Sequence, residues 1–402
     1  MEKETIWNKD FICVMLANFM LCLAHFSINP LVATYTTGYL GASQQLAGLL
    51  AGMFFGVALL MRPFAGPVTT KIDKRKLLIF VFILGAVANV GYALFRNIPA
   101  FVVFRVINGI QFSLVGLVLM TLAGDHLPQS RLASGLGIYG IGGAVASAVA
   151  PSIGDAMTRL GTNMRGEGFG FTLMFLFAAV IFVVALVPAI ILSPDKKTKE
   201  DILNTGAWYK NIFTIYALPP TIVMFLIMIS HAMIHTYMFD FGRELGIAGI
   251  SVFYLVLAIT LAVSRPMCGV LTDKFGISRI MFPGLALFAV ALFIIGSSTA
   301  LWMALIGAVI AAIGFGGSQP SLQAMCMQTE TPLRRGVAGN TIYIGLDLGL
   351  FLGPVLGGVV RTQTSFSFMF RSAAIPVVLA IIAFAIILPI HNRRLAFLAA
   401  QR

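Results

Sequence analysis

Charged residues are scarce in this chain of 402 residues: Asp, Glu, Lys and Arg together make up 10%, whereas apolar residues make up 59%. Soluble domains contain about 25% charged and about 45–50% apolar residues. A water-soluble chain of this length would lack the polar residues needed to cover its surface, which excludes a cytosolic enzyme and a disordered protein. The composition instead indicates a membrane protein, in which each spanning helix needs about 20 apolar residues.

Cysteine is also rare, and its four positions (Cys13, Cys22, Cys268, Cys326) share no metal-ligand spacing, which excludes a disulfide scaffold and a cysteine metal site. The sequence has no Walker loop, dinucleotide fingerprint, G-x-S-x-G or H-E-x-x-H motif. We therefore expect no enzyme activity, no cofactor and no metal. Any process that needs energy would have to draw on an ion gradient such as a proton gradient.

Apolar runs separated by Gly, Pro and charged residues predict twelve transmembrane helices. The runs are far longer than the strands of a membrane barrel and do not alternate with a period of two, so the expected fold class is an all-α membrane protein. The first run is too long for a signal peptide and is expected to be a permanent span. The predicted spans are 10–36, 44–66, 76–95, 99–123, 132–158, 169–192, 213–239, 247–268, 280–297, 300–326, 336–360 and 368–390.

The distribution of basic residues predicts the orientation in the membrane. With both termini in the cytoplasm, 20 of the 27 Lys and Arg residues fall in inner segments or at the inner ends of spans, six in outer segments or at the outer ends of spans, and one, Arg105, deeper within a span. Inner loops of membrane proteins carry this excess. The excess of basic residues, which gives the net charge of +12, then faces the anionic inner leaflet. The charge therefore does not indicate a nucleic-acid partner. We expect a multi-pass protein of the cell membrane, embedded in the lipid bilayer.

The chain contains an internal repeat. A polar stretch predicts three parts: an N-terminal six-helix bundle (1–192), a cytoplasmic linker (193–211) and a C-terminal six-helix bundle (212–402). Two patterns recur 203 residues apart: Arg62-Pro63-x-x-Gly66-x-x-Thr69-x-Lys71 as Arg265-Pro266-x-x-Gly269-x-x-Thr272-x-Lys274, and Pro151-x-x-Gly154 as Pro354-x-x-Gly357. Two pseudo-symmetric six-helix bundles are a common design of transporters.

Further motifs lie within these repeats. They are Gly269-Val-Leu-Thr-Asp273-Lys274-Phe-Gly276-Ile-Ser-Arg279 after span eight, its counterpart Gly66 to Lys76 after span two, Phe104-Arg105-Val-Ile-Asn108-Gly109 in span four, and Gly353-Pro354-Val-Leu-Gly357-Gly358 in span eleven. With these motifs, essentially the whole chain resembles the major facilitator superfamily, and its drug–proton antiporter branch in particular.

The resemblance implies a transporter of small molecules that works as a monomer, with signature loops that gate it and an embedded arginine linked to proton coupling. The first signature loop has Thr70 where the family usually carries Asp, and Asp73 where it usually carries Gly. Whether Asp73 replaces the missing acid stays open.

The candidate gating residues are Gly66, Lys71, Asp73, Arg75, Gly269, Asp273, Lys274, Gly276, Arg279, Asp125 and Glu330. The candidate hinge or packing residues are Pro151, Gly154, Gly353, Pro354, Gly357 and Gly358. The hinge or packing residues are predicted at the interface between the halves.

Two charged residues inside spans, Arg105 and Asp347, have no charged twin in the other half, since the corresponding positions are Ala308 and Ala144. A charge at the bilayer centre costs about 2.5–3.5 kcal/mol on insertion scales, so such residues usually face a cavity or a partner. We predict that both face a shared aqueous cavity, with Asp347 as proton acceptor or cation contact. The alternative for each is a structural role, as a satisfied carboxylate or as an anchor of span four.

Histidines and amides provide further candidates for proton or substrate binding. His25 lies in span one near Asn18, Asn108 lies in span four, and His231 and His235 are four residues apart in span seven, so they share a helix face. Plain packing is the alternative for the histidines. A metal site at His231 would need further ligands, and none is nearby in the sequence.

These features predict a secondary active transporter that exports a small organic compound in exchange for protons. One alternative is a proton symporter or facilitator for uptake of a small metabolite or anion, with Arg105 as a substrate anchor. A second alternative is a membrane-embedded sensor or scaffold built on a transporter fold.

Overall fold

The computed structural model describes residues 6–194, 207–247, 249–250 and 252–400, and these residues form twelve long helices and no strand. The helices are α1 (Lys9–Ile28), α2 (Gln44–Lys71), α3 (Lys74–Leu94), α4 (Ile98–Asp125), α5 (Leu132–Arg165), α6 (Glu167–Ile191), α7 (Leu218–Glu244), α8 (Val252–Phe275), α9 (Ile277–Gly296), α10 (Leu301–Gln328), α11 (Arg335–Gln363) and α12 (Ala374–Ala400). Each forms or contributes to a segment long and apolar enough to cross a membrane, which confirms the prediction of twelve spans.

Several predicted boundaries were wrong. The first span was predicted to reach residue 36, but α1 ends at Ile28, just before Pro30, and the chain continues through short 3₁₀, α-helical and π-helical turns to Tyr39. The seventh was predicted from 213, but α7 begins at Leu218. The last was predicted to end at 390, but α12 continues to Ala400. Hydropathy marks where apolar residues occur, whereas helix ends depend on caps and prolines.

Side-chain caps define the starts of the first four helices. The side-chain oxygens of Asn8, Ser43, Asp73 and Asn97 each accept a hydrogen bond from a backbone N–H three residues later. The first N–H groups of a helix have no partner within the helix, and such caps typically stabilise it by about 1 kcal/mol.

The described residues belong to two compact units. The N-terminal unit comprises Trp7–His126 and Val145–Trp208, and the C-terminal unit comprises Met1–Ile6, Leu127–Ala144 and Tyr209–Arg402. The first part of α5 therefore belongs to the C-terminal unit. Most of the predicted linker 193–211 lies outside the described residues, so the division into 1–192 and 212–402 stays a prediction.

The same helix pairs pack together in each unit. In the N-terminal unit α1 packs on α6, α2 packs on α4, and α3 packs on both α4 and α6. In the C-terminal unit α7 packs on α12, α8 packs on α10, and α9 packs on both α10 and α12. The repeat in the sequence thus corresponds to a repeated arrangement of helices, as the pseudo-symmetric fold requires.

Motif glycines lie where helix backbones approach most closely. A Cβ atom at Gly154 of α5 would lie 2.0 Å from the carbonyl oxygen of Ser27 in α1, and one at Gly353 of α11 would lie 2.5 Å from that of Ile229 in α7. Small residues allow such approaches between membrane helices. The sequence predicted hinges or tight contacts between the halves, whereas these contacts lie inside each unit.

We predict that Gly353→Ala lowers the thermal midpoint of the purified protein. The new methyl group would clash with the backbone of α7, and overpacking of this kind costs about 1–3 kcal/mol. Gly56→Ala in α2 is the matched control, because no atom lies within 4 Å of its Cβ position. The control should leave the midpoint unchanged or raise it. Equal midpoints for the two variants would contradict the assigned packing role of Gly353.

Candidate functional site

The second signature loop caps a helix that is remote in sequence. The carboxylate of Asp273 accepts a hydrogen bond from the backbone N–H of Ala133 at 3.1 Å and another from that of Ser134 at 2.8 Å. Both groups belong to the first turn of α5, where N–H groups lack partners within the helix and the helix dipole is positive. Asp273 therefore acts as an N-terminal cap supplied by another segment of the chain.

Glycines shape this contact on the α8 side. A Cβ atom at Gly269 would lie 2.7 Å from the carbonyl oxygen of Ala133, so only glycine lets α8 approach α5 this closely. Gly276 has φ +88°, a left-handed conformation that side chains disfavour, and it forms the turn between α8 and α9.

The repeated arginine extends the contact along α5. Arg265 donates from Nη1 to the carbonyl oxygen of Gly140 at 2.8 Å and from Nη2 to Oε1 of Gln319 at 2.7 Å. Gln319 was missed in the sequence analysis, although an amide next to Pro320 within the apolar tenth span was a signal. In the first repeat, Arg62 donates to the carbonyl oxygen of Ser113 at 2.9 Å, which joins α2 to α4.

The first signature loop is built differently. The Thr70 hydroxyl donates to the carbonyl oxygen of Pro67 at 2.9 Å, within its own helix. Asp73 accepts from the backbone N–H of Lys76 at 2.9 Å and so caps its own helix, with φ −54° where the second loop has the left-handed Gly276. The carboxylate of Asp73 thus caps α3, whereas that of Asp273 caps α5.

Basic residues of the first loop have partners within the N-terminal unit. The buried Lys74 ammonium lies 2.5 Å from Oδ2 of Asp125 at the end of α4. The Arg75 guanidinium donates to the carbonyl oxygen of Ile190 at the end of α6. These contacts join the ends of three helices, while the neighbouring Lys71 is exposed.

Glu330 has different partners from the gating residues with which the sequence analysis grouped it. Its carboxylate accepts from the Thr214 hydroxyl at 2.5 Å and lies 3.9 Å from Nε of Arg334. It thereby fixes the segment that leads into α7. In the second loop, Lys274 lies over the ring of Phe275, and Arg279 is exposed.

Arg105 is buried inside the N-terminal unit, with only 1% of its surface exposed. Its Nε donates to the carbonyl oxygen of Leu50 at 3.2 Å, its Nη1 lies 3.4 Å from Oδ1 of Asn29, and its guanidinium lies 4.9 Å from the ring centre of Phe54. Arg105 thus joins α4 to α2 and to the end of α1. This geometry fits the anchor role that the sequence analysis held as the alternative.

His25 lies in the same buried polar region. Its Nε2 lies 3.1 Å from Oε1 of Gln111, and the rings of Phe54, Phe112 and Phe182 surround it at centroid distances of 5.2, 5.1 and 5.4 Å. Asn18 and Asn108 are buried as well. Gln111 was not predicted, although it is a polar residue in an apolar span. Buried polar groups of this kind need partners, and here α1 and α4 supply them to each other.

Asp347 lies on the side of α11 that faces away from its packing contact with α7. Gly345, Gly349 and Gly353 press α11 against the backbone of α7, at Cβ distances of 2.5–2.7 Å from carbonyl oxygens of that helix. At about 100° per residue, Asp347 lies about 160–200° away from Gly345 and Gly349. It is therefore directed away from α7, and it is half-buried.

His231 and His235 form a pair on the side of α7 that meets α8 and α10. Their ring centroids are 4.5 Å apart, and the ring of His231 stacks on Phe315 at 4.0 Å with an interplanar angle of 5°. Tyr254 of α8 donates to the carbonyl oxygen of His235 at 3.1 Å. In the part of the chain that the structure describes, no group of three or more His, Cys, Asp or Glu could hold a metal ion.

Comparison with known proteins agrees with this architecture. The family model described as "Major Facilitator Superfamily" matches residues 14–263 and 221–401. The staphylopine export protein of Staphylococcus aureus strain Mu50 is 23% identical over 393 residues, covering 90% of this chain and 93% of that protein. The multidrug resistance protein MdtG of Yersinia enterocolitica is 22% identical over 391 residues, covering 92% and 91%. The crystal structure of the human organic anion transporter MFSD10 superposes with a TM-score of 0.74 at 14% identity, covering 93% of this chain and 98% of that one.

We predict that Asp273→Ala speeds hydrogen exchange at the amides of Ala133 and Ser134 by about tenfold, because loss of a helix cap costs about 1–2 kcal/mol. Hydrogen–deuterium exchange read by mass spectrometry measures this in the peptide that contains the first turn of α5. Asp73→Ala is the matched control, since it should instead speed exchange in the first turn of α3. Unchanged exchange near Ser134 in Asp273→Ala would disprove the capping role.

Proposed function

Because this chain belongs to the major facilitator superfamily, we propose that it exports a small organic compound from the cytoplasm in exchange for protons. The resemblance predicted from the motifs is confirmed, and the chain is a multi-pass membrane transporter rather than an enzyme. Two relatives named for export or for multidrug resistance each cover at least 90% of this chain. The main support for export is therefore that relatives named for export or multidrug resistance match this chain over nearly its whole length.

Asp347 is the proposed proton acceptor. It is an acidic residue in the middle of α11, half-buried and directed away from the helix on which α11 packs. A carboxyl group in such a position can bind a proton or a cation as the local surroundings change. Proton binding and substrate binding would each favour a different conformation, since only a difference in affinity between two states drives exchange.

The Asp273 cap is the proposed gating contact. Its two hydrogen bonds connect a charge to the end of a helix dipole, and such contacts form and break with little change in packing. Glycine contacts such as those of Gly353 are close-packed and suit a rigid unit. Alternating access would therefore release the Asp273 contact, together with the Gly269 contact beside it, and keep the contacts of α11 on α7 such as that of Gly353.

The remaining parts of the proposal follow from the sequence. The protein would lie in the cell membrane with both termini in the cytoplasm and act as a monomer. Its partners would be protons, a small-molecule substrate and the lipid bilayer. It would need no cofactor, because the proton gradient supplies the energy.

The two alternatives remain distinguishable from export. Uptake by symport with Arg105 as a substrate anchor is less favoured, because Arg105 is 1% exposed and has partners inside the N-terminal unit. A sensor on a transporter fold would bind ligands and move none of them.

We predict that inverted membrane vesicles with an acidic interior accumulate ethidium and lose part of their pH gradient as they do so. Asp347→Asn should lower the coupled proton flux by about tenfold or more, because a positioned proton acceptor is lost. Asp240→Asn is the matched control, since Asp240 is exposed near the end of α7 and lies 4.0 Å from Arg243.

Three results would contradict this proposal in different ways. Unchanged proton flux in Asp347→Asn would remove Asp347 from the mechanism. Gradient-driven movement of a panel of probes only towards the cytoplasm would support symport instead. Binding without movement in either direction would support a sensor.

A further inference from the structure

The histidine pair of α7 has free ring nitrogens in an open position. His235 is exposed and His231 is half-buried. Among the described residues, the two rings make aromatic contacts with each other, with Phe315 and with Tyr254, and the charge of Arg265 acts on His231. Their ring nitrogens have no hydrogen-bond partner in this part of the chain. By contrast, Nε2 of His25 lies beside a glutamine amide. Ionisable residues within spans usually face the interior of the helix bundle or a water-filled cavity rather than lipid.

The spacing of the two rings matches that of two imidazoles on one metal ion. A metal–nitrogen bond of about 2.0–2.1 Å places each ring centroid about 3.2 Å from the metal. Two rings at 90° around the metal then have centroids about 4.5 Å apart, and two rings at the tetrahedral angle about 5.2 Å apart. The observed separation is 4.5 Å. The observed separation therefore equals that of two imidazoles in adjacent positions around one metal ion.

The surroundings of the pair hold the rings in place. His231 is stacked against Phe315 of α10, and Tyr254 of α8 donates to the backbone of His235. Helices α8 and α10 thus each place an aromatic ring beside the pair. This rigidity lowers the loss of side-chain freedom when both imidazoles bind one ion.

From this geometry we propose that His231 and His235 together bind a divalent transition-metal ion whose other coordination positions are filled by a chelating compound that the protein transports. Imidazole suits nickel, copper and zinc ions. The protein supplies two ligands, which explains why no larger cluster is needed, and the chelator supplies the rest. The substrate class is thus a metal-chelating compound carrying its metal. This last step rests on the proposed export function, whereas metal binding by the pair does not.

Nickel-nitrilotriacetate is the probe that tests the pair, because this chelator leaves two adjacent positions on the metal open. Full-length protein, purified through a tag without histidine and placed in nanodiscs, is titrated with a fluorescent form of the probe. We expect one saturable site. His231→Gln and His235→Gln should each weaken binding by about 10²-fold, because the second imidazole then no longer binds intramolecularly.

Controls separate the pair from other histidines and from misfolding. His126→Gln should bind the probe like the unmodified protein, because His126 lies in the N-terminal unit beside Asp10. Nitrilotriacetate without nickel should not compete. Copper(II) bound to the unmodified protein should show electron paramagnetic resonance splitting from two nitrogens, a result that does not depend on any variant. Splitting from one nitrogen or none, or equal probe binding by the two histidine variants and the unmodified protein, would overturn the proposal.

A transport measurement distinguishes failure of this inference from failure of the proposed export function. Inverted vesicles should accumulate radioactive nickel only when nitrilotriacetate is present, and His235→Gln should reduce this accumulation. Probe binding with no accumulation would retain the metal site and refute transport of the chelate. Ethidium export without any probe binding would refute the metal site and leave the export function intact.

Discussion

Hydrocarbon offers no hydrogen-bond partners, so a chain that spans the bilayer must satisfy its own backbone. This constraint produces the twelve helices and explains why their ends carry so much of the polar chemistry. Where a helix starts, its first N–H groups need an acceptor. Asp73 provides one for its own helix, while Asp273 provides two bonds to a helix that starts about 140 residues earlier.

The same motif therefore makes different hydrogen bonds in the two repeats. Thr70 and Asp273 occupy equivalent positions, yet the hydroxyl bonds to its own helix and the carboxylate to another. Gly276 permits a left-handed turn that Asp73 does not adopt. The scaffold is symmetric in its helix pairs and asymmetric in its polar contacts.

The polar side chains of the spans also fall into two groups. Arg105, His25 and Gln111 are buried and bonded within the N-terminal unit, so they stabilise its packing. In the C-terminal unit, Asp347 is half-buried and His235 is exposed. The sequence suggested that Arg105 and Asp347 act together in one cavity. Because Arg105 is buried among its own partners, we assign the proposed proton binding to the C-terminal unit alone.

The sequence by itself determined the fold class, the number of spans and the repeat, because these depend on the spacing of apolar residues along the chain. It also identified the motif glycines and the charged residues within spans. Only the tertiary structure decided the partners: Asp273 with α5, Gln319 with Arg265, Gln111 with His25, and His231 with Phe315. Hydropathy and periodicity report the face on which a side chain lies. The choice of partner depends on how helices distant in sequence pack together, and that packing cannot be read from any single segment.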